Sequence, residues 1–187
     1  MNAFATDIRA LLTQRLAQAS SSDVLALASA LCANEDRIAR PAVNMPRFTK
    51  IDLHGRVVAA TATDWAAVYD STHDLTWTRK VLECGDVPWS DAMKAASNMR
   101  LFGKADWRAP TIQEQLSIID YTRFDPAIDT TYFDGAHGWS WTSTPAASPS
   151  EYAWLVYLND GVSIRLHQSD RDFVRAVRAG QPLALGL

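Results

Sequence analysis

The sequence predicts an α+β fold, in which an antiparallel sheet, two helices and long loops follow an N-terminal helical hairpin. Three observations lead to this prediction. Residues 3–40 carry apolar side chains at helical spacing, residues 121–150 are rich in turn-forming residues, and residues 151–179 read as successive strands. Runs of strands and helices that do not alternate regularly favour an α+β arrangement over a parallel sheet. The 187 residues suffice for one good-sized domain with a small appendage.

The N-terminal segment is predicted to form a helical hairpin. Its first apolar stripe comprises Phe4, Ile8, Leu11, Leu12 and Leu16. Ser22 or Asp23 can cap a second helix that runs to about Arg40, where Pro41 ends it. Such a hairpin cannot bury both faces alone, so residues 3–40 pack either on the main domain or on another subunit of a homo-oligomer.

The predicted domain boundaries follow from these breaks. Residues 1–41 form the helical segment, and residues 42–47, which lie in the proline-containing stretch "RPAVNMPRF", form a linker. The main domain covers residues 48–180, and residues 181–187 form a tail. "FTKIDLHGRVV" opens the main domain as a strand with inward Ile51 and Leu53.

The segment "PWSDAMKAASNMRLFG" predicts the first helix of the main domain. Ser90 is the expected N-cap and Gly103 the expected stop. The buried stripe is expected to comprise Ala92, Met93, Ala96 and Met99.

The segment "DWRAPTIQEQLSIID" predicts the start of a second helix. Thr111 and Glu114 have the spacing of a capping box, in which each side chain bonds the other residue's backbone amide. Pro110 keeps the chain extended before the helix.

Trp107 and Arg108, which precede this helix, are interpreted as structural. Trp107 is expected to fill the core where the helices meet the sheet. Arg108 is expected to pair with a carboxylate such as Asp120 or Glu114, or with loop carbonyls, because its planar guanidinium offers several donors.

The C-terminal segment predicts an antiparallel meander that turns at Asp160-Gly161. In "EYAWLVYL" both alternating faces are apolar, which favours a central strand buried on both sides. In the next strand, Val162, Ile164 and Leu166 are expected to face inward, and Ser163, Arg165 and His167 outward.

The order of several segments resembles the Lcl C-terminal domain family, found at the end of bacterial collagen-like adhesins. These segments are "DLTW", "PWSDAMKAA", "DWRAPTIQEQLSIID", "WSWTSTP", "AWLVYLNDG" and "FVRAVR". The resemblance covers about residues 48–179. It implies a C-type-lectin-like fold, similar also to formylglycine-generating enzymes, and a non-catalytic binding module. Its relatives are adhesins, receptor-binding proteins and phage or bacterial display proteins.

The candidate ligand-binding residues lie in the loop-rich face and at the polar edge of the last strands. They are Trp139, Trp141, Arg165, His167, Gln168, Asp170 and Arg171. Aromatic, arginine and short polar side chains together are typical of surfaces that bind proteins or polysaccharides. The alternative for the two tryptophans is core filling, and for "HQSDRD" a solvated turn.

Catalytic and metal chemistry find little support in the sequence, so the prediction is a non-enzyme with no cofactor and no bound metal. Cys32 and Cys84 stand far apart, whereas formylglycine-generating enzymes use a cysteine pair that binds copper. The histidines are scattered, and Asn159-Asp160 is explained by the hairpin turn. A formylglycine-generating or other metal-dependent enzyme stays as the alternative.

The net charge of -3 and a pI of about 5.7 argue against direct nucleic-acid binding. No run reaches the ~18 apolar residues of a membrane span. The N-terminus has no basic start before an apolar run, so no signal peptide is predicted. The expected location is therefore the cytoplasm or a phage particle.

Overall fold

The computed structural model describes residues 46–135 and 137–180. The chain divides into two units, 1–44 and 45–187, and every element below belongs to the second. The predicted helices in 3–40, residues 42–45 of the linker and the tail from 181 lie outside the described residues. The elements are β1 (Phe48–Ile51), β2 (Ala67–Asp70), β3 (Leu75–Thr78), α1 (Trp89–Asn98), α2 (Ile112–Ser117), β4 (Trp139–Pro145), β5 (Tyr152–Tyr157), β6 (Ser163–His167), β7 (Phe173–Val174) and β8 (Val177–Ala179).

The first sheet joins the two ends of the described domain. Its strand order is β1-β2-β3-β8, and every neighbouring pair is antiparallel. Trp77 on β3 lies opposite Val177 on β8, and both side chains are fully buried. The last strand therefore closes on a strand about a hundred residues earlier in the chain.

The second sheet has the order β6-β5-β4-β7. The β6-β5 and β5-β4 pairs are antiparallel, and the short β7 runs parallel to β4. The predicted central position of "EYAWLVYL" is confirmed, because β5 lies between two other strands and alternates its buried side chains between two apolar clusters. Leu155 belongs to one cluster with Trp141, and Val156 to the other with Trp77.

The two helices differ from the prediction at their ends. Helix α1 begins at Trp89 after Pro88, so Ser90 lies inside its first turn and provides no cap. The helix ends at Asn98, and Gly103, with φ of +68°, belongs to a later turn. The predicted stripe is present, because Ala92 and Ala96 are fully buried.

Two strand predictions are also corrected. The first strand ends at Ile51, and Leu53 lies in the following turn with 65% of its surface exposed. The Asp160-Gly161 hairpin has a longer loop than two residues, because β5 ends at Tyr157 and β6 begins at Ser163. Val162 therefore lies in the loop and is 49% exposed instead of facing inward.

Two short sheets, two helices and long connections make the described part of the chain α+β, as predicted. Within residues 46–135 and 137–180, no helix has both the length and the apolar character that a membrane crossing requires.

Candidate functional site

The register of the second sheet divides the candidate residues between two faces. Trp139 pairs with Tyr157, and Trp141 pairs with Leu155. Arg165 pairs with Trp154, two strands away from Trp141. Paired residues of an antiparallel sheet project from the same face, and successive residues of a strand from opposite faces. Because Leu155 and Trp154 are successive residues, the two predicted tryptophans project from the face opposite to Arg165.

Trp141 cannot contact a ligand in this structure. Its side chain is fully buried, and its indole nitrogen donates a hydrogen bond to the carbonyl oxygen of Val87 at 3.0 Å. The core-filling alternative therefore holds for this residue, and we remove it from the candidate site. Burial of a large aromatic ring with its N–H satisfied is a stabilising arrangement.

Trp139 is half-buried and packs on the same side of the sheet as Trp141. Its ring lies 4.6 Å from the ring of Tyr157. This cross-strand aromatic pair lies at the hairpin end of the sheet, five positions along β5 from Tyr152. At about 3.4 Å per residue, that separation is about 17 Å. Trp139 thus does not share a site with Arg165 and His167.

The opposite face carries a row of two aromatic and two basic side chains, which we call the recognition face. Its members are Tyr152, Trp154, Arg165 and His167. Tyr152 and Trp154 are half-buried, and the other two are exposed. The His167 ring meets the Tyr152 ring edge to face at 5.5 Å, and the Arg165 guanidinium lies 5.8 Å from the Trp154 ring. Sequence reasoning missed Tyr152 and Trp154 because it assigned both faces of β5 to the core.

The loop between β4 and β5 holds the recognition face in place. The Arg165 guanidinium donates to the carbonyl oxygen of Ser148 at 2.7 Å. The Gln168 amide nitrogen donates to the carbonyl oxygens of Ser150, at 2.9 Å, and Tyr152, at 3.3 Å. These bonds fix two predicted ligand-binding residues against a backbone segment, so their orientation is set before any ligand arrives.

The turn after β6 gives the remaining candidates distinct roles. The Asp170 carboxylate accepts a hydrogen bond from the His167 backbone amide at 3.1 Å, and the Ser169 hydroxyl lies 2.7 Å from Nδ1 of His167. Asp170 therefore shapes the turn, which agrees with the solvated-turn alternative. Arg171 is exposed and makes no hydrogen bond or ion pair with any residue that the structure describes.

Asp172, which sequence reasoning did not single out, has the most perturbed carboxyl group beside this turn. Its backbone exchanges two hydrogen bonds with Val87, at 3.0 and 3.1 Å. Burial raises the pKa of the Asp172 carboxyl, a backbone hydrogen bond from Phe173 lowers it, and the charges of Asp86 and Asp170 raise it, so that it lies at about 6. Three acidic side chains close together in this way favour a proton on one of them.

The residues predicted to be structural form a connected group. Trp107 is 2% exposed, and Thr111 and Glu114 make both bonds of the capping box. The Arg108 guanidinium binds both carboxylate oxygens of Glu114, at 2.6 and 2.7 Å. Burial disfavours the charged form of Glu114 and so raises the pKa of its carboxyl. The hydrogen bonds from Arg108 and Thr111 outweigh this effect and hold that pKa below the ordinary value. Pro110 contributes its carbonyl oxygen, which accepts from the Ser143 amide at 2.7 Å.

Arg175 is a structural residue that sequence reasoning missed. Its side chain is fully buried and donates to the carbonyl oxygens of Thr78 at 2.7 Å, of Arg79, and of Asp134 at 2.9 Å. Desolvation lowers the pKa of its guanidinium to about 10, although the charge of Asp134 opposes the change. Carbonyl oxygens replace the water that a buried guanidinium loses. Both arginines of "FVRAVR" are buried, and the segment gives no local indication of which one bonds only carbonyl oxygens and which one pairs with a carboxylate, as Arg178 does with Asp106.

Metal-ligating side chains do not converge in the described part of the chain. No group of three or more His, Cys, Asp or Glu in residues 46–135 and 137–180 has an arrangement that could hold a metal ion. The Asp160 side-chain oxygen accepts from the Val162 amide within the turn, and the Asn159 side-chain oxygen accepts from the Gly138 amide just before β4, so both residues serve the backbone. Partial desolvation raises the pKa of the Cys84 thiol even though the residue is exposed. A raised pKa lowers the fraction of reactive thiolate.

A comparison with curated proteins finds no match. The model of the Lcl C-terminal domain matches residues 66–178, which is more than half of the chain. The match begins one residue before β2 and ends within β8, so it includes both described helices, the whole second sheet and the recognition face. This chain therefore belongs to the Lcl C-terminal domain family.

Proposed function

We propose that this chain is a non-catalytic recognition module that binds a protein through the recognition face. The observation that carries the proposal is the row of Tyr152, Trp154, Arg165 and His167 on one face of the β5-β6 hairpin. Tyrosine, tryptophan and arginine are the residues that contribute most to binding energy at protein interfaces.

The electrostatics of Arg165 support a binding role. Many charged side chains of the described domain are paired within it, such as Arg108 with Glu114 and Arg178 with Asp106. Arg165 has no carboxylate within 4 Å among the described residues, and its one hydrogen bond to Ser148 leaves further guanidinium donors for a ligand. An exposed, oriented and unneutralised guanidinium suits an acidic or carbonyl-rich partner.

We further propose that the domain has a C-type-lectin-like architecture. Family membership, two small sheets and the loop-rich stretch between Ser117 and Trp139 support this view. Folds of this kind present loops and strand edges on a rigid scaffold, which is where binding residues concentrate. Fold likeness alone is weak support for a function, so the proposal rests on the side chains of the recognition face.

The enzyme alternative has less support. Formylglycine-generating chemistry needs a cysteine pair, and the only cysteine among the described residues is Cys84, whose thiol has a raised pKa. Its sulfur lies 3.8 and 3.6 Å from the carbonyl oxygens of Leu82 and Gly85, and no basic side chain of the described residues hydrogen-bonds to it.

The test is paired capture of ligand from bacterial lysate, read by mass spectrometry, together with binding to a panel of bacterial polysaccharides. The baits are the full chain, its Arg165→Glu variant and an Arg100→Glu control. Arg100 is an exposed arginine after α1 that bonds only neighbouring backbone carbonyls. We expect a protein to be captured by the full chain and the control and lost with Arg165→Glu. Equal capture by all three baits would contradict the proposal, and loss of a polysaccharide alone would replace protein by glycan as the ligand.

A further inference from the structure

We propose that the recognition face takes an extended peptide segment that adds antiparallel to the free edge of β6 as a fifth strand, with an acidic side chain opposite Arg165. This inference rests on the proposed function and names the mode and chemistry of the partner. Strand addition supplies affinity through backbone hydrogen bonds and specificity through alternating side chains.

The alternation of hydrogen bonds between β5 and β6 shows which backbone groups of β6 are not used in pairing with β5. Among the residues that the structure describes, strand β6 is the outermost strand of its sheet and pairs only with β5. The Gln168 amide donates to the Glu151 carbonyl at 2.7 Å, and the Tyr157 amide donates to the Val162 carbonyl at 2.7 Å. Residues with even numbers on this strand therefore direct their N–H and C=O groups toward β5. The groups of Ser163, Arg165 and His167 point away from the sheet.

The end of this edge at His167 is closed by the turn. The His167 amide donates to the Asp170 carboxylate at 3.1 Å, and the His167 carbonyl accepts from the Asp170 amide at 2.8 Å. Exposed strand edges are commonly blunted by charges or turns of this kind. The protection stops at His167, and within 46–135 and 137–180 no residue bonds the four backbone groups of Ser163 and Arg165. Because each of these two residues offers both its N–H and its C=O, an added antiparallel strand can form two hydrogen-bonded residue pairs with them.

The side chains along the edge define the partner. A peptide residue paired with Arg165 would project on the recognition face with its Cβ about 4.5–5.5 Å away, where a carboxylate can reach the guanidinium. The residues on either side of it would project from the other face, beside the half-buried Ile164 and Leu166. Leu166 packs against the apolar cluster that contains Trp141. The fitting sequence is an acidic residue between two apolar ones.

The first step of the test is selection of binders from a display library of random linear octapeptides, with the full chain as bait. Each binder is then measured on Ser163→Pro. Ser163 is the first residue of β6, and its N–H points away from β5, so proline there removes an edge donor without removing a bond between the strands. Circular dichroism and melting check that the variant folds. We expect the selected peptides to contain an acidic residue between apolar ones and to bind Ser163→Pro about tenfold more weakly.

The second step is N-methylation of the best peptide, one residue at a time. Strand addition predicts an alternating result, because methylation abolishes binding only at residues whose N–H faces β6. Peptides that lose binding with Arg165→Glu but show no alternation would overturn strand addition and leave the recognition face in place. Strand addition would also be overturned if no selected peptide bound the full chain more tightly than it bound both Ser163→Pro and Arg165→Glu. The proposed function fails only when Arg165→Glu leaves ligand capture unchanged.

Discussion

Trp139 and Trp154 are both half-buried tryptophans of the same sheet, yet they contribute to opposite faces. Trp139 stacks on Tyr157, whereas Trp154 lies beside Arg165. The alternation within "GWSWTS" correctly places Trp139 and Trp141 on one face, but alternation within one strand does not show which residues of another strand share that face. The missing information was the register, because each shift by one residue exchanges the two faces.

The hairpin itself contained that information in part. A turn centred on Asp160-Gly161 pairs each even-numbered residue of one strand with an odd-numbered residue of the other. Because the odd-numbered residues of the second strand share one face, Trp154 lies on the same face as Arg165 in every such pairing. The observed pairs Trp154–Arg165 and Tyr152–His167 follow this rule despite the longer loop. Applying the rule to "EYAWLVYL" would have found both aromatic members of the recognition face from the sequence.

Trp107 gives the residue-scale prediction for stability. Its ring is 2% exposed and packs with Phe102, whose ring centre lies 6.1 Å away. Truncation to alanine leaves a large cavity, so Trp107→Ala is expected to lower the free energy of unfolding by about 3–5 kcal/mol. Urea unfolding measures the change, and Phe124→Ala, which removes a side chain that is 79% exposed, is the control. An equal midpoint for Trp107→Ala and the unaltered chain would contradict a core role.

Asp172 gives the residue-scale prediction for pH. Its pKa in the folded state, about 6, lies above the ordinary value of 3.8, so the folded chain holds a proton that the unfolded chain has lost between these values. The contribution of Asp172 to stability is therefore expected to fall as pH rises from about 4 to about 6. Asp172→Asn should flatten this fall, and Asp86→Asn should lower the Asp172 pKa.

Urea unfolding across this pH range, together with NMR titration of the Asp172 carboxyl, checks the account. An Asp172 pKa near 4, or a fall in stability that persists in Asp172→Asn, would show that another group is responsible.

At the scale of elements, local signals predicted the starts and interiors of elements better than their ends. The capping box of α2 was predicted because it depends on residues three positions apart, and both of its bonds form. The Ser90 cap failed because Pro88 already precedes the first turn of α1 and the helix starts at Trp89. Gly103 marked a turn correctly, but the helix had already ended at Asn98.

Amide hydrogen exchange tests the open edge of β6 without any ligand. The Ile164 and Leu166 amides face β5, whereas those of Ser163 and Arg165 face away from it. We expect the first two to exchange slowly and the last two rapidly, because exchange requires an amide free of its partner. NMR detection resolves each amide. Slow exchange at Arg165 equal to that at Ile164 would mean that the edge is already covered.

At the scale of the whole molecule, the α+β class and the family were predictable, but the sheet connections were not. The first sheet pairs β3 with β8, and the Arg108 and Val177 backbones exchange two further bonds, at 2.8 and 2.9 Å. Pairings between such distant segments leave no periodic signal in the sequence. The buried Arg175 depends on the same closure, since its carbonyl partners lie at Thr78, Arg79 and Asp134.

The central claim is that ligand binds the face of the second sheet that carries Trp154 and not the face that carries Trp139. The most direct measurement is the affinity of the captured ligand for Trp154→Ala and for Trp139→Ala, compared with the unaltered chain by biolayer interferometry. A central aromatic contact contributes about 2 kcal/mol or more, so Trp154→Ala should weaken binding about thirtyfold while Trp139→Ala leaves it within about twofold. Weakened binding with Trp139→Ala alone would contradict the account and place the ligand on the opposite face.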